Sequence, residues 1–194
     1  DAAKVMGITK PNQIVIMVHC GSRGFGHQIG TDFLRVFLEV MPKYGIEILD
    51  RELACAPFNS PEGQDYYKAM ACAANMAFAN RQVITFRIRE VFSKVFGKTP
   101  EEMEMNLVYD VAHNIAKLEK YNVDGKEKTF LVHRKGATRA FGPARSKDLP
   151  KEYHKIGQPV ILGGSMETGS YLLTGTNGAD VTFCSTAHGA GRTM

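Results

Sequence analysis

Near its end the chain reads CSTAHGAGRTM, which sets His188 beside Gly189, Gly191 and Arg192. An imidazole serves as nucleophile, base or metal ligand near neutral pH. Glycines let a backbone come close to a ligand, and arginine offers a rigid fork to phosphate or carboxylate. The stretch reads as a place where phosphate meets imidazole. If His188 is a nucleophile, phosphorus is a suitable electrophile, because imidazole forms phosphoramidates. Gly189 and Gly191 would then admit the phosphoryl donor, and Arg192 would offset its charge.

Four other stretches hold residues of the right kinds. His19 closes QIVIMVHC (13–20) and is followed by GSRGFG. It is either an ordinary histidine at a core edge or a metal ligand, with Arg23 placed in the next loop to meet an anion. GSRGFG has the spacing GxxGxG, which is not the dinucleotide fingerprint, and it lacks the lysine of a P-loop. It is a tight turn or a phosphate-binding loop. His113 lies in YDVAHNIAK, with Asp110, Asn114 and Lys117 at helical spacings from it. HRKGATR (133–139) gathers His133, Arg134, Lys135 and Arg139 around a glycine, as a solvated charged loop or as a contact to RNA phosphate. GGSMETGS (163–170) is a flexible turn or the wall of a nucleotide pocket built from backbone N–H groups.

These residues need elements to position them. QIVIMVHC is short, apolar and β-branched, so a buried strand is expected there. A glycine-rich turn (21–30) should follow, then a helix through Phe33, Leu34, Phe37, Leu38 and Met41, capped by Thr31 or Asp32 and ended by Gly45. A long helical pattern runs from Pro61 to Gly97, long enough that a break near Asn80 is expected. Thr99 and Glu102 form a capping box with Pro100 at the first helical position, which predicts another helix carrying His113. Asp124-Gly125 signals a hairpin. TFLVH (129–133), QPVILGGS (158–165) and YLLTG (171–175) read as strands. Helices and strands do not alternate regularly, so the expected class is α+β, mixed strands packed with long helices.

Composition narrows the function classes. With 194 residues and 44% hydrophobic content, the chain suits one globular domain or a large piece of one. Its net charge of +4 permits nucleic-acid binding without demanding it. The four cysteines, Cys20, Cys55, Cys72 and Cys184, form no CxxC pair, so neither a zinc finger nor a disulfide scaffold is expected. That points to a reducing, cytoplasmic setting. Apolar runs such as IVIMV are too short to cross a membrane, so no membrane partner is expected.

VHCGSRGFGHQ, YDVAHNIAK, VHRKGATRAFGP, the GSM of GGSMETGSY and HGAGR together resemble the RtcB family of RNA-splicing ligases, in the family's order, from about Gln13 onward. The resemblance implies an enzyme that joins RNA 3′-phosphate or 2′,3′-cyclic phosphate ends to 5′-hydroxyl ends, in tRNA splicing or RNA repair, using GTP and Mn²⁺. It implies that His188 is the histidine that becomes guanylated, and that His19 and His113 are metal ligands. Asn114 and Lys135 would lie near the nucleotide phosphates, and Ser165, Ser170, Gly189 and Gly191 would help form the nucleotide pocket. Arg23 and Arg192 would contact RNA phosphate. The implied partners are RNA with such ends and an archease-type activating protein.

The match has gaps. The family's further metal ligands, from an N-terminal region, have no counterpart, and the family's C-terminal segment would follow HGAGR. Glu167 stands where the family often has glycine. Residues 1–194 are therefore expected to be a partial RtcB-like catalytic domain, incomplete relative to the family. Two other functions compete: a metal-dependent phosphoesterase in which His188 assists water, and a non-catalytic RNA-binding fragment.

Overall fold

Ser60 and Pro61 start the longest element, in a computed structural model that describes residues 2–165 and 167–189. The Ser60 hydroxyl accepts the Gly63 N–H at 3.0 Å and donates to the Pro57 carbonyl at 2.7 Å. Proline at the first helical position has no N–H to leave unsatisfied. The chain divides into two units, one of residues 16–105 and one of residues 1–15 with 106–194.

The unit 16–105 is built on two helices, α2 (Gly24–Val40) and α3 (Pro61–Phe96). A four-residue turn of helix, α1 (Ala2–Val5), precedes them in the other unit. Phe37 meets Tyr66 at 5.3 Å between ring centroids, while Asn80 bonds Gly21 at 2.8 Å. Pairs farther back along one helix are farther forward along the other, so α2 and α3 run antiparallel. A glycine ends each helical stretch as expected: Gly45 (φ 63°) after a 3-10 turn that extends α2, and Gly97 (φ 63°) after α3.

Four local expectations fail in this part of the chain. Residues 13–20 form no strand; Ile14 is 81% exposed, and side chains of α3 bond the end of the stretch at Cys20 and Gly21. Asn80 donates to the Gly21 carbonyl and the Cys20 sulfur, and Arg81 donates to the Cys20 carbonyl at 3.1 Å. The same contacts explain why α3 runs unbroken for 36 residues: Asn80 spends its amide on a neighbour rather than on its own backbone. Helix α2 begins at Gly24, inside the glycine-rich stretch, so neither Thr31 nor Asp32 caps it. The Thr99–Glu102 capping box does form, with Thr99 N donating to Glu102 Oε2 at 2.7 Å and Glu102 N to Thr99 Oγ1 at 3.2 Å. No helix follows. Glu104 turns left-handed at φ 52°, and Arg89 holds the Met105 carbonyl from two nitrogens.

Among its described residues the other unit carries six strands in three antiparallel pairs. The first pair is β1 (Asn114–Val123) with β2 (Lys126–Lys135). Asp124 (φ 57°) and Gly125 (φ 73°) form the two-residue turn between them, the left-handed pair that such hairpins require. NIAKLEKYNV is thus a strand, not a helix, and the helical spacing of Asp110, Asn114 and Lys117 about His113 does not apply. β3 (Ala137–Arg139) pairs with β6 (Ser185–Ala187), and β4 (Pro159–Leu162) pairs with β5 (Tyr171–Thr174). Tyr121, Val132, Phe141, Leu149 and Cys184 form the core. The Arg145 guanidinium lies 3.9 Å over the Phe141 ring. The architecture is α+β.

The cap of α3 has a measurable consequence. Ser60→Ala removes both hydroxyl bonds and lowers stability by about 1–2 kcal/mol, read as a shift of the urea midpoint without change in slope.

Candidate active site

His188 is held from several sides. It follows β6 directly, and Ala187 pairs with Ala137 of β3. Its own carbonyl accepts the Gly163 N–H at 3.1 Å, and Gly163 and Gly189 form a parallel bridge. The ring is fixed as well: Nδ1 lies 2.7 Å from the Gly136 carbonyl oxygen. A carbonyl only accepts, so Nδ1 carries the proton and Nε2 presents a lone pair. The imidazole stacks on His113, with centroids 4.3 Å apart and planes 23° from parallel.

Gly136 is the hub of this arrangement. Its N–H donates to the His113 carbonyl at 2.8 Å and to Asn114 Oδ1 at 3.0 Å, while its carbonyl takes the His188 proton. It sits at φ 66°, and a Cβ there would come within 3.4 Å of His188 Cε1. The left-handed φ favours glycine. Because Asn114 spends its oxygen on Gly136, its amide N–H₂ remains as a pair of donors. Lys135 is the cross-strand partner of Asn114 and is exposed.

The 163–170 stretch is shaped by its own hydroxyls. Ser170 Oγ accepts the Gly164 N–H at 3.1 Å, and Ser165 Oγ accepts the N–H groups of Glu167 and Thr168 at 3.2 and 3.1 Å. A Cβ on Gly164 would lie 2.2 Å from the Thr168 carbonyl oxygen. Ser165 and Ser170 thus close a tight loop that begins at the glycine touching His188.

The structure therefore brings His113, Asn114, Lys135, His188 and Gly189 to one locality, with the Ser165–Ser170 loop adjoining through Gly163. His19 and Arg23 belong to the other unit. His19 lies on the segment pinned by Asn80 and Arg81, and Arg23 precedes α2 with φ 55°. Gly191 and Arg192 lie outside the described residues. Two imidazoles match the nitrogen-donor preference of a transition metal. Among the described residues, no three His, Cys, Asp or Glu side chains gather around one ion.

One stretch read from sequence as a charged loop is something else. Arg134 belongs to β2, its side chain is 1% exposed, and it forms a two-pronged ion pair with Glu119, whose side chain is 5% exposed, at 2.7 and 2.9 Å. Burial opposes ionisation of Glu119, but the bonds from Arg134 and Tyr121 prevail and hold its carboxyl below the usual range. Burial and the bond to Glu119 push the Tyr121 hydroxyl far up. Lys117, on the same face of β1 as Glu119 and half-buried, has its ammonium lowered by burial first, then by the Arg139 and Arg134 cations. Alternation of Lys117, Glu119 and Tyr121 along a strand was the available signal for this cluster. The Gly136 carbonyl has no side-chain signal at all.

Comparison with known proteins agrees with this picture. The family model of the tRNA-splicing ligase RtcB matches residues 1–194. The chain is 57% identical over 195 residues to a tRNA-splicing ligase RtcB of Methanococcus maripaludis, covering 100% of the chain and 40% of that relative. The same identity and coverage of the chain hold for one of Methanocaldococcus jannaschii, 20% of which is covered. A relative from Archaeoglobus fulgidus is 57% identical over 182 residues, 93% of the chain and 38% of the relative. The chain thus spans two fifths or less of the length of these relatives. Its motifs, the setting of His188 and the match along its whole length agree: the chain belongs to the RtcB family of tRNA-splicing ligases.

Proposed function

We propose that the chain carries the nucleotidyl-transfer centre of an RNA ligase that joins RNA 3′-phosphate or 2′,3′-cyclic phosphate ends to 5′-hydroxyl ends in tRNA splicing or RNA repair. The observation that carries this reading is the bond from His188 Nδ1 to the Gly136 carbonyl. It commits the proton to Nδ1 and leaves Nε2 as a nucleophile of fixed direction.

In the first step the Nε2 lone pair attacks the α-phosphorus of GTP. A P–N bond forms, the bond to the pyrophosphate oxygen breaks, and its electron pair leaves with pyrophosphate. The positive charge that develops on the ring is met by the Gly136 carbonyl. GMP then passes from His188 to the RNA 3′-phosphate, which frees the imidazole. The 5′-hydroxyl oxygen attacks that phosphate, loses its proton to solvent, forms the new phosphodiester and expels GMP; a 2′,3′-cyclic end enters the sequence only after water has broken its P–O2′ bond to leave a 3′-phosphate.

Asn114 and Lys135 would hold the nucleotide phosphates, with Gly189 and Gly191 admitting them and the Ser165–Ser170 loop bordering the pocket. His19 and His113 would each give an imidazole to Mn²⁺, with further ligands from outside these residues. When bound, the metal would polarise phosphoryl oxygens. Arg23 and Arg192 would grip RNA phosphate, and an archease-type protein would assist turnover. The cytoplasm is the compartment assigned, in keeping with the free thiols of Cys20, Cys55, Cys72 and Cys184. Among the described residues no helix is long and apolar enough to cross a membrane.

The test is mass spectrometry of the complete protein after incubation with GTP and Mn²⁺, followed by peptide mapping. A GMP adduct on His188, lost in acid and retained in base, is the expected result. An adduct on another residue refutes the assignment.

The RNA contact is tested separately. Arg23→Ala should weaken RNA binding to a similar degree across sequences and reduce the salt dependence by about one counterion. Fluorescence anisotropy over a KCl series measures both, and an unchanged slope removes Arg23 from the RNA surface.

A further inference from the structure

We propose that Arg134, together with Glu119 and Tyr121, is the positioning device that aims His188 at the Gly136 carbonyl. The inference rests on the role of His188 given above and names residues that the reading does not itself require.

Phe183 (φ 50°) and Cys184 (φ 45°) are consecutive, neither is glycine, and both lie in the left-handed region. Side chains disfavour that conformation, so something must hold it. Three donors converge on the Phe183 carbonyl. Arg134 Nη2 and the Tyr121 hydroxyl each lie 2.8 Å away, and Ser185 Oγ lies 3.2 Å away. Tyr121 shares its single proton between this carbonyl and Glu119 Oε2, 2.7 Å off. The Arg134 fork is itself fixed on Glu119, and its Nε donates to Ser185 Oγ at 3.0 Å.

The position of Arg134 in the chain gives this network its consequence. Arg134 precedes Gly136 by two residues, and Ser185 precedes His188 by three. One guanidinium therefore ties the strand that delivers the acceptor to the strand that delivers the imidazole. Where β6 begins, and how it is directed, is set at the Phe183–Cys184 turn; the Nδ1 bond closes at the far end. Lysine has the charge but lacks the fork, so it cannot hold Glu119 and the Phe183 carbonyl together.

The experiment uses Arg134→Lys and the gentler Tyr121→Phe in the complete protein. Near-UV circular dichroism first establishes that each is folded. ¹⁵N NMR of the His188 ring then reads the tautomer without nucleotide, and the rate of GMP-adduct formation reads the chemistry. The expected result is loss of the pure Nδ1–H tautomer and a fall of about tenfold or more in the maximal adduct rate, with the half-saturating GTP concentration little changed. If Arg134→Lys does not fold, Tyr121→Phe decides by the same readings. A folded variant with the tautomer or the maximal rate of the parent overturns the proposal. Should the parent form no adduct, the nucleophile assignment fails, and the tautomer measurement alone still decides whether Arg134 and Tyr121 aim the ring.

Discussion

His188→Ala protein incubated with α-labelled GTP and Mn²⁺ is expected to carry no covalent nucleotide, whereas the parent protein should carry GMP. The effect is complete because the substitution removes the atom that forms the bond. No described neighbour substitutes for it: the Asn114 oxygen is engaged by the Gly136 N–H. His113 has a ring 4.3 Å from that of His188 and is proposed above as a metal ligand rather than a nucleophile. Labelling that persists in the alanine variant would sink the mechanism. The fold should survive the change, since the backbone bonds of His188 and the β3–β6 pairing involve no imidazole atom.

Glu119→Ala has the largest expected effect on stability. It leaves the Arg134 guanidinium buried without its carboxylate, and breaking a buried pair in this way costs about 3–5 kcal/mol. Replacing Glu119 and Arg134 together with apolar residues of similar volume should cost less than the single change. The pair also makes stability depend on pH. Because the folded carboxyl is held below its ordinary range, the unfolded chain binds the proton more tightly. The contribution is therefore full above the ordinary glutamate value, about 4.3, and is lost as pH falls through the lower folded value. Urea unfolding of parent and Glu119→Gln proteins at neutral and acid pH measures this. The parent should lose more stability than the variant on acidification, and parallel losses would remove Glu119 from the acid limb.

The parts of the fold legible in the sequence were those governed by local chemistry. Pro61 and Gly97 bounded α3, Asp124-Gly125 made the hairpin, and the strands around QPVIL and YLLTG needed only their own residues and flanking glycines. The failures were sites where a distant partner decides. Residues 13–20 have the composition of a strand, but no described strand pairs with them, and the bonds from Asn80 and Arg81 fall at the end of the stretch, on Cys20 and Gly21. The Thr99–Glu102 box is a correct cap on a helix that Arg89 and the left-handed Glu104 forestall. YDVAHNIAKLEK fits a helical period and an alternating one, and pairing with 126–135 selects the second.

The candidate site follows the same division. His188, Asn114 and Lys135 could be singled out because their side chains carry chemistry, and the fold brings them together. The Gly136 carbonyl could not, because every residue has one. Arg134 looked like surface charge because its partner lies 15 residues away on another strand.

Helix α3 holds the His19 segment through Asn80 and Arg81, which stand near the helix's middle, while its packing on α2 through Tyr66 lies toward its start. Each residue of an α-helix turns the face by about 100°. Tyr66 and Asn80 must therefore keep their relative phase, and the length of chain between them is effectively quantised. Inserting one residue there swings Asn80 out of reach of Gly21. Inserting seven, about two full turns, restores the phase to within about 20° but moves the contact some 10 Å along the axis. A change in the length of α3 is therefore expected to leave the segment that carries His19 undisturbed only when it falls outside the stretch between Tyr66 and Arg81.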